Sequence, residues 1–72
     1  MQTIHSVADL GLAIRAERKA QGLTQTQLAD LSGSGLTFIS NLERGKTTSE
    51  IGKVLTVMNT LGLDMACMKR GQ

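Results

Sequence analysis

The sequence predicts an all-α fold, and three observations carry that expectation. Proline is absent and Phe38 is the one aromatic residue in 72, whereas a sandwich or barrel would draw on β-branched and aromatic strands. Helix-start signatures recur: Ser6 stands three residues before Asp9, Thr24 three before Gln27, and Thr47 three before Glu50. The last two match the capping box, in which two side chains satisfy two orphan amides reciprocally; Asp9 is a weaker variant whose charge suits the positive helix end. Glycines at 22, 33, 45 and 62 each follow an apolar-periodic segment, as a left-handed residue after a helix should.

These signals divide the chain into one domain of four helices, over residues 7–21, 25–32, 35–44 and 48–61. The first begins at the Ser6 cap and stops before Gly22. In the short second helix, Leu28, Ala29 and Leu31 are expected to face inward. The small Ala29 lets a following helix cross closely, and Gly33 supplies the positive-φ turn that a sharp crossing requires. Together they outline a helix-turn-helix.

The third helix has two unlike faces at about 100° per residue. Ile39 and Leu42 fall on one side, flanked by Phe38 and Glu43. Thr37, Ser40, Asn41 and Arg44 fall on the other, with Leu36 at its edge. Those outward groups are short or planar hydrogen-bonders plus one guanidinium, with no carboxylate to repel phosphate. Asn can bond adenine bidentately, Thr and Ser are adaptable, and an apolar atom can meet a thymine methyl. Three below-average helix formers in one short helix each sacrifice up to roughly 0.5 kcal/mol relative to Ala. That cost favours a reading face over ordinary solvated surface.

In the fourth helix, Ile51, Val54, Leu55, Val57, Met58 and Leu61 cover a band about 160° wide at helical spacing. One half can seal the domain while the other meets a second subunit. After Gly62, Leu63, Met65 and Cys67 alternate with Asp64, Ala66 and Met68, a period that predicts a strand over 63–68. Within the chain only the segment 2–5 offers itself as a neighbour, and an isolated two-stranded piece is marginal in water. The strand is therefore expected to pair with its copy in a homodimer.

Size supports the dimer. A domain this short buries only about 60% of its unfolded surface, and small folds usually add disulfides, metal or a partner subunit. Cys67 and His5 are each the only residue of their kind, which excludes an internal disulfide and makes a zinc site implausible. A lone thiol suits the cytoplasm. Cys67 reads as a small apolar filler and His5 as a surface or strand residue, so neither catalysis nor a cofactor is expected. GSGLTF at 33–38 lacks both the third glycine of a dinucleotide fingerprint and a Gly-Lys-Ser/Thr ending, so no phosphate loop is expected. No apolar run reaches the roughly 20 residues of a membrane helix, and MQTIHSVADL does not look like a signal peptide. The net charge of +2 permits an anionic partner without demonstrating one.

The run LTQTQLADLSGSGLTFISNLERGK, residues 23–46, resembles the helix-turn-helix of the Cro/phage-repressor (XRE) family. Thr24-Gln25, Leu28-Ala29, Gly33, Ile39-Ser40, Leu42-Glu43 and Gly45 stand at the family's spacing. QTIHSVADLGLAIRAERKAQG and TLGLDMA resemble the flanking segments of HipB-type antitoxins. The resemblance implies a lambda-repressor-like compact domain whose two-fold dimer represses transcription on an inverted-repeat operator in double-stranded DNA. It places Gln25 on a phosphate, Leu36, Thr37, Ser40 and Asn41 on bases, and Arg44 and Lys46 on the DNA backbone. It also implies an Arg18–Glu43 pair tying the first helix to the third. Leu36 departs from a position that is often polar in the family, and Gly35 from one where some relatives contact phosphate. The HipB-like ends imply a HipA-like serine/threonine kinase toxin as a second partner. A stand-alone phage-type repressor and a protein-interaction adaptor on the same fold are the alternatives. Phe38, between core and DNA side, is expected to pack inward.

Overall fold

The computed structural model describes residues 2–46 and 50–71. Four helices follow one another: α1 (Val7–Ala20), α2 (Gln25–Ser32), α3 (Leu36–Glu43) and α4 (Ile51–Thr60). The starts of α1 and α2 have local causes. Ser6 Oγ accepts from the Asp9 amide at 3.0 Å, while Asp9 Oδ2 accepts from the His5 amide at 3.0 Å. At α2 the capping box is complete: Thr24 Oγ1 accepts from the Gln27 amide at 3.0 Å, and the Thr24 amide donates to Gln27 Oε1 at 2.8 Å. Removing such a cap costs about 1 kcal/mol.

Gly33 closes α2 at φ 69°, a backbone region that a Cβ disfavours. The Ser34 amide then bonds the Ala29 carbonyl at 3.2 Å, so the chain turns at once into α3. Helix four differs from its expected start. Thr47 and residues 48–49 lie outside the described residues, and α4 is described from Ile51. Glu50, expected as the third residue of that helix, is instead its cap and makes no side-chain cap bond. Its carboxylate stands 3.7 Å from Lys53 Nζ.

All four helices supply one core: Ile14 from α1, Leu28 and Ala29 from α2, Ile39 and Leu42 from α3, and Val54, Val57 and Met58 from α4, followed by Leu61. Each fully buried aliphatic chain contributes about 1.5–3 kcal/mol through removal from water. Helices α1 and α2 both pack on α3, and α2 also packs on α4. Gln21 Nε2 donates to the Leu61 carbonyl at 2.8 Å and ties the end of α1 to the end of α4.

Two inward expectations are corrected. Leu31 is 64% exposed. It lies roughly 110° round the helix from the midpoint of Leu28 and Ala29. Ser32 takes the half-buried place instead, its hydroxyl donating to the Leu28 carbonyl at 2.8 Å. Cys67 is exposed rather than a filler.

No strand forms among the described residues; 63–69 are irregular. A strand exists only through a ladder to a neighbour, and the described residues supply none. Segments 2–5 and 64–71 instead flank an open groove of about 590 Å³ that Leu10 and Met58 also line. On α4 the wide apolar band divides as expected: Val54, Val57 and Met58 are buried, whereas Ile51 and Leu55 are exposed.

Candidate nucleic-acid interface

The position of α3 is set by two contacts with α1. The first is a close approach at Gly11, which is buried. A Cβ built there would overlap the Leu42 carbonyl oxygen and lie 2.8 Å from that of Glu43. Only a residue without a side chain lets α1 pass the C-terminal turn of α3 at this distance. The turn after α3 is equally close, since a Cβ on Gly45 would lie 2.9 Å from Ala8 Cα.

The second contact is ionic. Arg18 Nε and Nη2 donate to Glu43 Oε2 and Oε1 at 2.6 and 2.8 Å, and Arg18 Nη1 donates to the Leu23 carbonyl at 2.8 Å. Gln25 Nε2 adds a fourth hydrogen bond, to Glu43 Oε1 at 3.1 Å. Burial of the Glu43 carboxyl would raise its pKa, but the hydrogen bonds from Arg18 and Gln25, with the charges of Arg18 and Arg15, outweigh burial and lower it. The hydrogen bonding of Arg18 to the Glu43 carboxylate holds the Arg18 pKa above its ordinary value, against the opposing effect of burial. The pair forms as the resemblance implied.

With Ile39, Leu42 and Glu43 turned inward, the remaining side of α3 faces out. Leu36, Thr37 and Arg44 are exposed, and Ser40 and Asn41 are half-buried. The one carboxylate of α3 is turned inward beneath Arg18. Arg44 Nη2 donates to Asn41 Oδ1 at 2.8 Å. Exposed Lys46 follows the turn, its amide closing on the Asn41 carbonyl at 2.9 Å. Gln25, half-buried at the start of α2, is drawn to Glu43 by one N–H of its amide. An NH₂ group carries a second donor, so this contact orients the side chain without using all of it. Phe38 packs against the core, and Lys53 Nζ lies 5.7 Å from its ring centroid. Phe38 therefore belongs to the inner layer, as expected.

A helix-turn-helix family model matches residues 14–66, well over half of the chain. The chain belongs to the XRE-type helix-turn-helix family. It is 46% identical over 69 residues to the HTH-type transcriptional regulator y4mF of Sinorhizobium fredii, covering 96% of this chain and 91% of the relative. Its fold superposes on a chain of a HipA-HipB-O2-O3 complex with a TM-score of 0.88 at 27% identity, over 97% of this chain and 99% of the other. It also matches the restriction-modification controller protein C.AhdI of Aeromonas hydrophila, with a TM-score of 0.73 at 29% identity, over 81% and 84% of the two chains.

Two residues that shape this helix-turn-helix escaped sequence reasoning. Gly11 sits inside a helix, where glycine ordinarily costs about 1 kcal/mol against Ala. That internal conflict is the signal that points to a close helix crossing. The Gln21 contact to Leu61 spans 40 positions and has no local signature. No helix among the described residues is long and apolar enough to cross a membrane.

Proposed function

We propose that this helix-turn-helix chain is a sequence-specific DNA-binding transcriptional repressor, acting in the cytoplasm as a homodimer on an inverted-repeat operator. The observation that carries the reading is the outward side of α3: Thr37, Ser40, Asn41 and Arg44 stand together there, while the helix's carboxylate is held inward by Arg18. Leu36, Thr37, Ser40 and Asn41 meet base edges in the major groove. Gln25, Arg44 and Lys46 grip phosphates and set the register. Short polar groups and one apolar edge suit base recognition, and phosphate contacts position without specifying. Similarity to a transcriptional regulator and to HipB supports the same reading.

The homodimer is supported by what the monomer leaves uncovered. Ile51 and Leu55 on α4, with Met65 and Met68 in the tail, are exposed, and segment 63–68 keeps its alternating pattern without a ladder. Pairing that segment with its copy gives it the ladder that makes a strand. A two-fold dimer presents its two copies of α3 to successive major grooves about 34 Å apart. Similarity to HipB in its complex with HipA supports a second role, as an antitoxin that neutralises a HipA-like serine/threonine kinase.

The repressor reading is tested by changing Asn41 and Arg44 together to Ala and titrating operator duplex. Lost binding with an intact dimer is expected. Unchanged binding transfers the function to a protein-interaction adaptor on the same fold. Copurification with the product of a neighbouring kinase-like gene tests the antitoxin role, and its failure leaves a stand-alone repressor.

A further inference from the structure

The hydrogen bond between Arg44 and Asn41 joins two functions that base-reading and phosphate-gripping roles keep separate. The residues are three apart at the C-terminal end of α3, so their side chains share a face. The guanidinium can only donate, whereas a primary amide has an acceptor end and a donor end and is free to flip between two orientations. The 2.8 Å bond from Arg44 Nη2 to Asn41 Oδ1 removes that freedom by holding the oxygen on the Arg44 side.

We propose that Arg44 is a positioning residue for base recognition, setting the orientation of the Asn41 amide, so that discrimination at the base pair facing Asn41 depends on Arg44. This rests on the DNA-binding reading above and deepens it. A guanidinium carries five N–H donors in a planar fork. Having given one to Asn41, it retains others for a phosphate oxygen. Entering the groove removes water from both side chains, which strengthens the bond between them. Arg44 thereby couples the register set on the backbone to the orientation of the group that reads the base. Lysine does not replace it, because an ammonium is a point charge on a flexible stem without a planar fork.

The test is selection from a duplex pool with a randomised half-site by the wild type, Asn41→Ala, Arg44→Ala and Arg44→Lys, each first checked for folding by thermal melting. A well-oriented amide discriminates between bases on the order of tenfold or more. The wild type is expected to show such a preference at one position per half-site that Asn41→Ala abolishes. Both Arg44 variants are expected to reduce the preference there to within about threefold while leaving the other positions unchanged. Arg44→Lys should retain the salt slope, and Arg44→Ala should reduce it by about two, one for each subunit of the dimer. The proposal is overturned if the Arg44 variants weaken all sequences alike and leave that preference intact, or if Asn41→Ala flattens no position. A wild type that enriches no sequence overturns the DNA-binding reading itself, and this proposal with it.

Discussion

Arg18 grips both oxygens of the Glu43 carboxylate, at 2.6 and 2.8 Å, across 25 positions of sequence. The Gln25 amide joins them at 3.1 Å, so one carboxylate links α1, the start of α2 and the end of α3. Desolvation offsets most of the attraction in a buried pair. What it provides is a fixed angle for the helix whose outer face is proposed to meet DNA.

Breaking the pair from one side should be worse than removing it. Glu43→Ala leaves the Arg18 guanidinium, whose side chain is 8% exposed, without its carboxylate, and should cost about 3–5 kcal/mol. The double change Arg18→Met with Glu43→Leu should cost less than Glu43→Ala alone. Urea unfolding midpoints measure this, and additive losses would contradict it.

The lowered pKa of Glu43 makes stability fall in acid. A carboxyl with a depressed folded pKa binds protons more readily when unfolded, so its contribution is complete above the unfolded value and disappears as pH drops through the folded one. Loss of stability should therefore begin near the ordinary value of 4.5 and continue below it. Glu43→Gln should be less stable at pH 7 and show a shallower acid slope. Thermal melts from pH 7 to 2 check both.

One substitution made at two helical glycines should act with opposite signs. Gly11→Ala drives a methyl into the Leu42 and Glu43 carbonyls and should destabilise by about 1–3 kcal/mol. Gly52→Ala on α4 meets nothing within 4 Å, and should stabilise by about 0.5–1 kcal/mol through helix propensity alone. Equal effects on the melting temperature would show that α1 and α3 are not as close as described.

Operator binding should depend steeply on salt. If a dimer neutralises six to ten phosphates, affinity should fall on the order of a thousandfold or more between 50 and 200 mM salt. A flat titration curve would remove phosphate contact from the account.

The exposed half of α4 should matter for assembly rather than folding. Changing Ile51 and Leu55 together to Glu places charge on side chains that are 62% and 42% exposed in the monomer. Helical circular dichroism should persist while sedimentation shifts from dimer to monomer. A dimer that survives would place the subunit contact elsewhere.

Much of the fold was legible because its signals are local. The Thr24 capping box and the terminating glycines act within four residues, and each is found where the sequence placed it. The two faces of α3 were also legible, since Ile39 and Leu42 fix the inward side and helical period does the rest. Leu31 was misplaced because two inward residues leave the centre of a short helix face loosely defined, and hydrophobicity drew it in where Ser32 fits. The pattern over 63–68 carried the period of a strand, but alternation cannot supply the neighbouring backbone that would make it one.

The order of the helices, their main stops and the polar composition of one helix face were determined by the sequence alone, because caps, left-handed glycines and helical period operate between near neighbours. Tertiary structure decided the close passage of α1 across α3 at Gly11 and the convergence of Arg18, Gln25 and Glu43. It also decided which apolar residues stay uncovered. These depend on the three-dimensional approach of segments far apart in the chain, and no local pattern encodes a distance of that kind.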